Sequence, residues 1–434
     1  MTAQSETPAI RQAVIIGGNR IPFARSNGAY AKASNQDMLT AALDGLVARF
    51  GLQGQRLGAV SGGAVLKHSK DFNLMRESVL GTSLSADTPA YDVQMACATG
   101  MEAIGSLANK IKLGQLESGI GGGVDTTSDA PIAVSEGLRQ VLLELSRARS
   151  TSAKLKALSK FRPRDLAPNA PGTGEPRTGM SMGDHQSITT KAWNITRVAQ
   201  DELALASHKN LAAAYERNFF DDLITPFAGV TKDTNLRGDS TLEKLASLKP
   251  AFGKNLGAEA TMTAGNSTPL TDGASVVLLG SEDYAREHEL PMLANFVDFE
   301  AAAVDFVHGA EGLLMAPAYA VARILERNNL TLQDFDFYEI HEAFAGTVLS
   351  TLAAWEDADF CKNKLGLDAP LGAIDRTKLN VNGSSLAAGH PFAATGGRLV
   401  ATLAKMLHEK GSGRGLISVC AAGGQGIVAI LEAR

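Results

Sequence analysis

The chain has 434 residues, of which 44% are hydrophobic and 20% charged, with a formal net charge of −5. That length exceeds one average domain, and the balance is that of a globular chain burying a large core, which excludes the disordered and fibrous classes. The mild acidity argues against nucleic acid as a partner, and no apolar run approaches the ~18 residues of a transmembrane helix.

Met1–Pro8 has no basic end with an apolar core and is not Arg-rich, which argues against a presequence. Ala13–Gly17 predicts a buried strand, Arg20–Ala31 a turn-rich loop, and Met38–Phe50 a helix. Leu57–Leu66 predicts a strand, Asn73–Leu80 a helix and Ala90–Val93 a short strand. After Cys97 a helix follows, with Met101, Ile104, Leu107 and Ile111 on one face. Ser118–Val124 is a glycine-rich strand. This alternation is the signature of an α/β layered fold.

The alternation stops between about Ser128 and Gly265, where Ala167–Pro176 is an irregular Pro/Gly-rich loop and Gln200–Phe219 a helix. Gly273–Gly280 returns to strand. A second pass follows: strand Ala294–Ala301, helix Leu313–Leu325, strand Phe335–Ile340, helix Ala345–Trp355 and strand Leu379–Val381. A loop and helix come next, with Leu399, Leu403, Met406 and Leu407 on one face, and then strands Gly415–Cys420 and Gly426–Glu432. The pattern therefore divides the chain into a first half (1–127 plus 266–290), an inserted region (128–265) and a second half (291–434). The loops holding Cys97 and His390 fall at the same step of the two passes, which would bring them to a shared seam.

Four residues in this frame suit chemistry. His390 lies between Gly389 and Pro391, with Pro391 placed early in a helix, where a missing N–H costs nothing. Histidine is suited to moving a proton near neutral pH, although a histidine in a Gly-rich turn can be structural. Cys97 stands at a helix start, where free N–H groups and the dipole favour a thiolate, or else it is a small buried hydrophobe. His341 follows a strand's C-terminal end, the usual active-site edge of an α/β fold, or is a satisfied structural histidine. It is not half of a zinc pair, since Ala345 occupies the place of the second histidine, and no metal is expected. Cys420 opens Cys-Ala-Ala-Gly-Gly-Gln-Gly, whose glycines let a backbone approach a ligand. The three cysteines, with Cys361, have no metal-like spacing and are expected to be reduced thiols in a cytoplasmic protein.

The string Asn380–Arg398 resembles the N-x-N-G-G-x-x-x-x-G-H-P motif of the thiolase family, with Ser384 in place of the second motif glycine. Cys97 in Gln-x-Ala-Cys-Ala, His341-Glu-Ala-Phe, Gly-His390-Pro and Cys420-x-x-Gly-Gly-x-Gly match that family in order over essentially the whole chain. The context of Cys97, the histidine at 341 and the long basic insertion resemble the fatty-acid-oxidation branch. The resemblance implies two repeated βαβαβαββ halves stacked in layers, with an inserted loop domain. It implies CoA-dependent cleavage of a 3-ketoacyl-CoA with no permanently bound cofactor, CoA being a co-substrate, by a homodimer or homotetramer. The alternatives are acetoacetyl-CoA synthesis by the reverse condensation and a ketoacyl-synthase-type condensing enzyme, which does not need a second thiol.

By the same resemblance Cys97 is the nucleophile and His390 its base. Cys420 is the second acid and base, and His341 forms part of an oxyanion site. The backbone N–H groups of Cys97 and Ala422 form the other oxyanion site, Ala422 standing where the family has glycine. Met182, Arg237, Thr268, Ala343 and Phe344 are implied to contact CoA, and Lys244 stands where the family has a serine near the nucleotide.

Arg139–Arg164 holds eight basic residues and the single acid Glu144. It is either a solvated face or a docking surface, for a multifunctional β-oxidation subunit or for an anionic membrane, because basic and apolar residues alternate along it.

Overall fold

The computed structural model describes residues 10–434, so Met1–Pro8 lies outside the described residues. Among the described residues there are ten strands: β1 (Ala13–Arg20), β2 (Ala24–Arg25), β3 (Ala59–Gly62), β4 (Ala90–Asp92), β5 (Ser118–Asp125), β6 (Thr271–Ser281), β7 (Ala294–Ala303), β8 (Phe337–Ile340), β9 (Arg414–Ala421) and β10 (Gln425–Ala433). The helices of the first half are α1 (Asn35–Arg49), α2 (Leu74–Leu80) and α3 (Thr99–Lys112). The region between β5 and β6 carries α4 (Glu136–Arg147), α5 (Thr151–Leu158), α6 (Met182–Ala192), α7 (Arg197–Glu216) and α8 (Leu242–Ala246). The rest are α9 (Glu282–Glu287), α10 (Ala316–Asn328), α11 (Ala345–Glu356), α12 (Ala358–Asn363), α13 (Ser385–Ala388) and α14 (Thr395–Lys410).

The strand order is β4-β3-β5-β6-β1-β7-β10-β9-β8, with β2 paired to β6. Read outward from its centre, the order β1-β6-β5-β3-β4 repeats as β7-β10-β9-β8, so the two passes share one topology. The halves join where β1 meets β7 over Val14–Asn295 and Ile15–Ala294. The strand expected at Leu379–Val381, which would complete the repeat, is reduced to one bridge between Leu379 and Tyr338. Asn380 is the reason. It takes a left-handed φ of 47°, and its side chain bonds both the N–H and the C=O of Ile340 in place of a ladder. Leu57–Leu66 likewise yields only the four residues of β3, because the Asp125 carboxylate accepts from the N–H groups of Val65 and Leu66 and turns the chain away. The helix expected from Leu313 begins at Ala316, with Pro317 in its first turn.

Alternation along the strands sorts their side chains into layers. Ile15, Val277, Leu279, Val419 and Ile427 join a central cluster with Met101 and Ile104 of α3 and Leu399 and Leu403 of α14. Val14, Ile16, Val276 and Leu278 face α1 and α2 in a second cluster. Leu416, Val428 and Ile430 face α10 and α11 in a third. Helices α3 and α14 thus form the middle layer, touching each other and strands of both halves.

The inserted region is tied to this frame by a buried ion pair. Arg20 at the end of β1 donates to both oxygens of Asp233, at 2.6 and 2.8 Å. Tyr215 Oη and the Phe23 N–H complete the carboxylate's shell at 2.8 and 2.7 Å. The side chains of Arg20 and Asp233 are 4% and 0% exposed. Removing one partner of such a pair strands a buried charge, so Asp233→Ala should lower unfolding stability by about 3–5 kcal/mol. Urea unfolding checks this, and a change below about 1 kcal/mol, the scale of an exposed pair, would show that the bond carries little.

Candidate active site

Three turns meet at the edge where β3, β5, β8 and β9 end. Cys97 lies in the turn from β4 to α3. Ala96 before it holds a left-handed φ of 46°, a strain of about 1–3 kcal/mol for a residue with a Cβ. Thr99 keeps that turn closed: its Oγ1 accepts from the Met95 N–H at 2.8 Å and donates to the Ala96 carbonyl at 2.7 Å. His390 lies in the turn before α14. Gly389 supplies a φ of 102°, and a Cβ there would sit 2.6 Å from Thr271 Cγ2. The Thr271 hydroxyl accepts the His390 N–H at 2.7 Å. Pro391 is not inside a helix. It precedes a single 3-10 turn, Phe392–Ala394, and α14 proper starts at Thr395.

These turns place His390 Nε2 3.1 Å from Cys97 Sγ, across 293 residues of sequence. His390 Nδ1 lies 2.6 Å from Thr395 Oγ1. The His341 ring centroid is 4.1 Å from that of His390. His341 Nδ1 is 2.7 Å from Ser385 Oγ, and its Nε2 is buried with no protein partner among the described residues. Cys420 is buried in β9, in an apolar cluster with Met262, Leu313, Leu314 and Phe344, packed by Met182 and Ala343. Ala422 is not among the described residues with positive φ, whereas Gly423 and Gly424 are. Alanine therefore sits there without left-handed strain, and its N–H approaches the Cys97 sulfur.

Burial governs the electrostatics. Cys97 keeps some exposure, yet desolvation pushes its thiol up to about 12, against the opposing pull of the Ala422 N–H. Burial therefore opposes the thiolate that the helix start favours. Burial also raises the Cys420 thiol, pushes His390 down to about 3, and lowers His341 far below its ordinary value, with His390 and Arg398 adding to that shift. The resting site therefore holds neutral thiols and neutral imidazoles. Neutral His390 thus presents a ring nitrogen 3.1 Å from the Cys97 sulfur, while burial of both groups disfavours a resting thiolate–imidazolium pair.

The residues named for CoA separate into two places. Met182, Ala343 and Phe344 line the apolar cluster beside Cys420. Thr268 stands next to them, its N–H bonded to the Ala343 carbonyl at 3.1 Å and its hydroxyl to the Ser385 carbonyl at 2.8 Å. Arg237 lies apart in an exposed loop of the inserted region, where its N–H bonds His208 Nδ1 at 3.2 Å. Lys244, in the same region, pairs with Asp239 at 2.7 Å. Cys361 is buried away from the site, its Sγ directed to the Ala354 and Trp355 carbonyls.

Several site residues were not anticipated. Buried Asp125, at the end of β5, accepts from Val65, Leu66 and Ala393 and so holds the β3 exit against the His390 turn. Burial pushes its carboxyl up to about 7. Glu175 reaches from the inserted region to the Gly423 N–H at 2.6 Å and fixes the turn holding Ala422. An acid ending a glycine-rich strand was the available signal for Asp125. Glu175, in a Pro/Gly-rich loop, offered none.

The family description "Thiolase, N-terminal domain" matches residues 13–283, and "Thiolase, C-terminal domain" matches residues 290–433. The chain belongs to the thiolase family, and it is an acyltransferase. It is 40% identical over 425 residues to proteins named 3-ketoacyl-CoA thiolase from Yersinia pestis and Yersinia pseudotuberculosis, covering 96% of each chain. Among solved structures it resembles the acetyl-CoA acetyltransferase of Bacillus anthracis, with TM-score 0.81 and 30% identity over 98% of this chain and 100% of the other. It also resembles human mitochondrial 3-ketoacyl-CoA thiolase, with TM-score 0.80 and 25% identity over the same shares.

A thiol held up to about 12 supplies thiolate in proportion to hydroxide across the neutral range. Alkylation of Cys97 by iodoacetamide should accordingly rise about tenfold per pH unit between roughly pH 6 and 9. Mass spectrometry of the modified peptide measures the rate, and a plateau near neutrality would instead reveal a preformed thiolate–imidazolium pair.

Proposed function

We propose that the protein cleaves 3-ketoacyl-CoA with CoA, giving acetyl-CoA and a shortened acyl-CoA through an acyl-Cys97 intermediate. The observation that carries this is the 3.1 Å contact of Cys97 Sγ with His390 Nε2. His390 takes the thiol proton as the sulfur attacks the 3-keto carbon. The N–H groups of Cys97 and Ala422 receive the developing oxyanion. The C2–C3 bond then breaks, and the acetyl-CoA enolate, its oxygen held by His341 and a water, takes the Cys420 proton. The raised Cys420 thiol suits this role, because it keeps its proton until a strong base forms beside it. The Cys420 thiolate deprotonates incoming CoA, whose sulfur attacks the acyl-Cys97 thioester. The released Cys97 sulfur recovers its proton from His390, and the cycle closes.

In this reading CoA runs over the inserted region 128–265. Its pantetheine passes Met182, Thr268, Ala343 and Phe344, and its nucleotide end reaches Arg237. Degradative cleavage is preferred over acetoacetyl-CoA synthesis because the 3-ketoacyl-CoA thiolases are 40% identical and the acetyltransferase 30%. Three free thiols fit a reducing compartment such as the cytoplasm, and a homodimer or homotetramer rests on the family resemblance alone. The test is steady-state cleavage of a 3-ketoacyl-CoA series, with mass spectrometry after substrate is supplied without CoA. An adduct on Cys97 is expected, and an adduct on Cys420 or Cys361 would overturn the assignment. Cys420→Ala should still acylate slowly from reactive thioesters but lose carbon–carbon cleavage; near-normal turnover would remove its acid role.

The basic insertion supports a second contact, with an anionic lipid surface. Helices α4 and α5 bury only Val141 and Ala157, while Leu142, Leu155, Leu158, Phe161 and Leu166 are exposed. Arg139 and Lys160 pair with Glu136 and Glu144. The other six basic residues of 139–164 have no carboxylate within 4 Å among the described residues, and each adds about 1 kcal/mol of attraction near such a surface. Wild-type protein should pellet with phosphatidylglycerol vesicles at low salt. Reversal of Arg149, Lys154, Lys156 and Arg162 to Glu should abolish pelleting and leave turnover of short substrates unchanged. Absence of pelleting by the wild type sinks this contact, and co-purification with a β-oxidation multifunctional subunit instead would assign the face to a protein.

A further inference from the structure

Behind the two histidines lies a buried polar chain that the acyl-transfer steps do not use. Arg398 of α14, 4% exposed, donates from Nη2 to Ser385 Oγ at 2.9 Å and to Ser384 Oγ at 3.2 Å. Ser385 Oγ is in turn 2.7 Å from His341 Nδ1, and these are its only hydrogen-bond partners among the described residues. Glu339 of β8 is fully buried with both oxygens unbonded, and after burial its charge is the largest influence on Arg398.

The direction of these bonds is determined by what each group can do. A guanidinium only donates, so Ser385 Oγ accepts from Arg398. A hydroxyl has one proton, and the only acceptor in reach of it is His341 Nδ1. Were Nδ1 protonated, it would donate to Ser385 Oγ and leave the Ser385 hydroxyl proton buried without an acceptor among the described residues, at about 1–3 kcal/mol, whereas Nε2 has no protein partner in either tautomer.

We propose that Arg398 and Ser385 are positioning residues that lock neutral His341 with its proton on Nε2, making it an obligatory hydrogen-bond donor into the active site. The adjacent ring of His390 must do the opposite and present an unprotonated Nε2 to Cys97. Two imidazoles with centroids 4.1 Å apart are thereby divided into an acceptor and a donor by their rear partners, Thr395 for one and Ser385 for the other. Ser384, in the place of a motif glycine, accepts the second Arg398 bond and holds the guanidinium in line.

The catalytic consequence rests on the proposed thiolysis, while the tautomer is measurable without it. Protein labelled with 15N-histidine, with His341 assigned by its loss in His341→Asn, should show Nδ1 unprotonated and Nε2 protonated at neutral pH. Ser385→Ala should lower kcat for thiolysis at least about tenfold, a small part of the ~10⁴-fold loss that a wrong histidine tautomer causes in a serine protease. KM for CoA should stay within about twofold, since no CoA contact is removed, and Ser385→Thr should restore kcat by restoring the hydroxyl. A proton on Nδ1 in the wild type overturns the proposal, even if Ser385→Ala does not fold. So does a folded Ser385→Ala with unchanged kcat. Wild type with the Nε2–H tautomer but without thiolysis would overturn the activity and leave the positioning intact.

Discussion

The whole site depends on how closely two helix starts approach each other. A Cβ on Gly100 of α3 would lie 2.5 Å from the Ala393 carbonyl oxygen, and one on Gly396 of α14 would lie 2.3 Å from the Met101 nitrogen. Both obstacles are backbone, which cannot rotate out of the way as a side chain can. The middle layer therefore closes only with hydrogen at these positions. That closure brings the turn of Cys97 against the turn of His390, and the 3.1 Å contact of sulfur with imidazole follows from it. The outer layers support the contact at a distance, Asp125 holding the His390 turn and Glu175 the turn carrying Ala422.

Such tight packing has an electrostatic consequence. Burial raises the Cys97 thiol and lowers the His390 imidazole, against the opposing pull of the Ala422 N–H, and so favours neutral groups at rest. In the proposed thiolysis, charge arises only during reaction, where the N–H groups of Cys97 and Ala422 would already face it. This is preorganisation in the sense that the donors need no rearrangement when the oxyanion appears. In such a site the location of each proton matters as much as the location of each atom, which is why the partners behind the rings bear on the chemistry in front of them.

Periodicity made the middle helices legible: Met101, Ile104, Leu107 and Ile111, and Leu399, Leu403 and Leu407, are all fully buried as their spacing requires. It failed where side chains replace backbone pairing. Asn380 satisfies the edge of β8 by itself and ends the strand expected at 379–381. Asp125 likewise captures two amides that an extended strand from 57 to 66 would have needed. The motif residues were visible because each sits in a short string of unusual composition. Ser385 and Arg398 lay inside the same string but carried no mark of their own, since their meaning comes from which ring nitrogen Ser385 faces and what Arg398 holds. The burial that opposes a thiolate at Cys97 was hidden for a related reason: placement at a helix start is local, while desolvation sums over the entire fold.

The distance in sequence between Cys97 and His390 also acts in time. Cys97, the proposed nucleophile, lies within the first quarter of this sequence, whereas His390, its proposed base, and Cys420 lie in the last fifth. Strand β6, which separates β5 from β1, is synthesised only after the inserted region. Until His390 follows, Cys97 has no imidazole beside it. Contacts of such long sequence separation form late and slowly, so the Cys97–His390 contact exists only once the second half has folded onto the first.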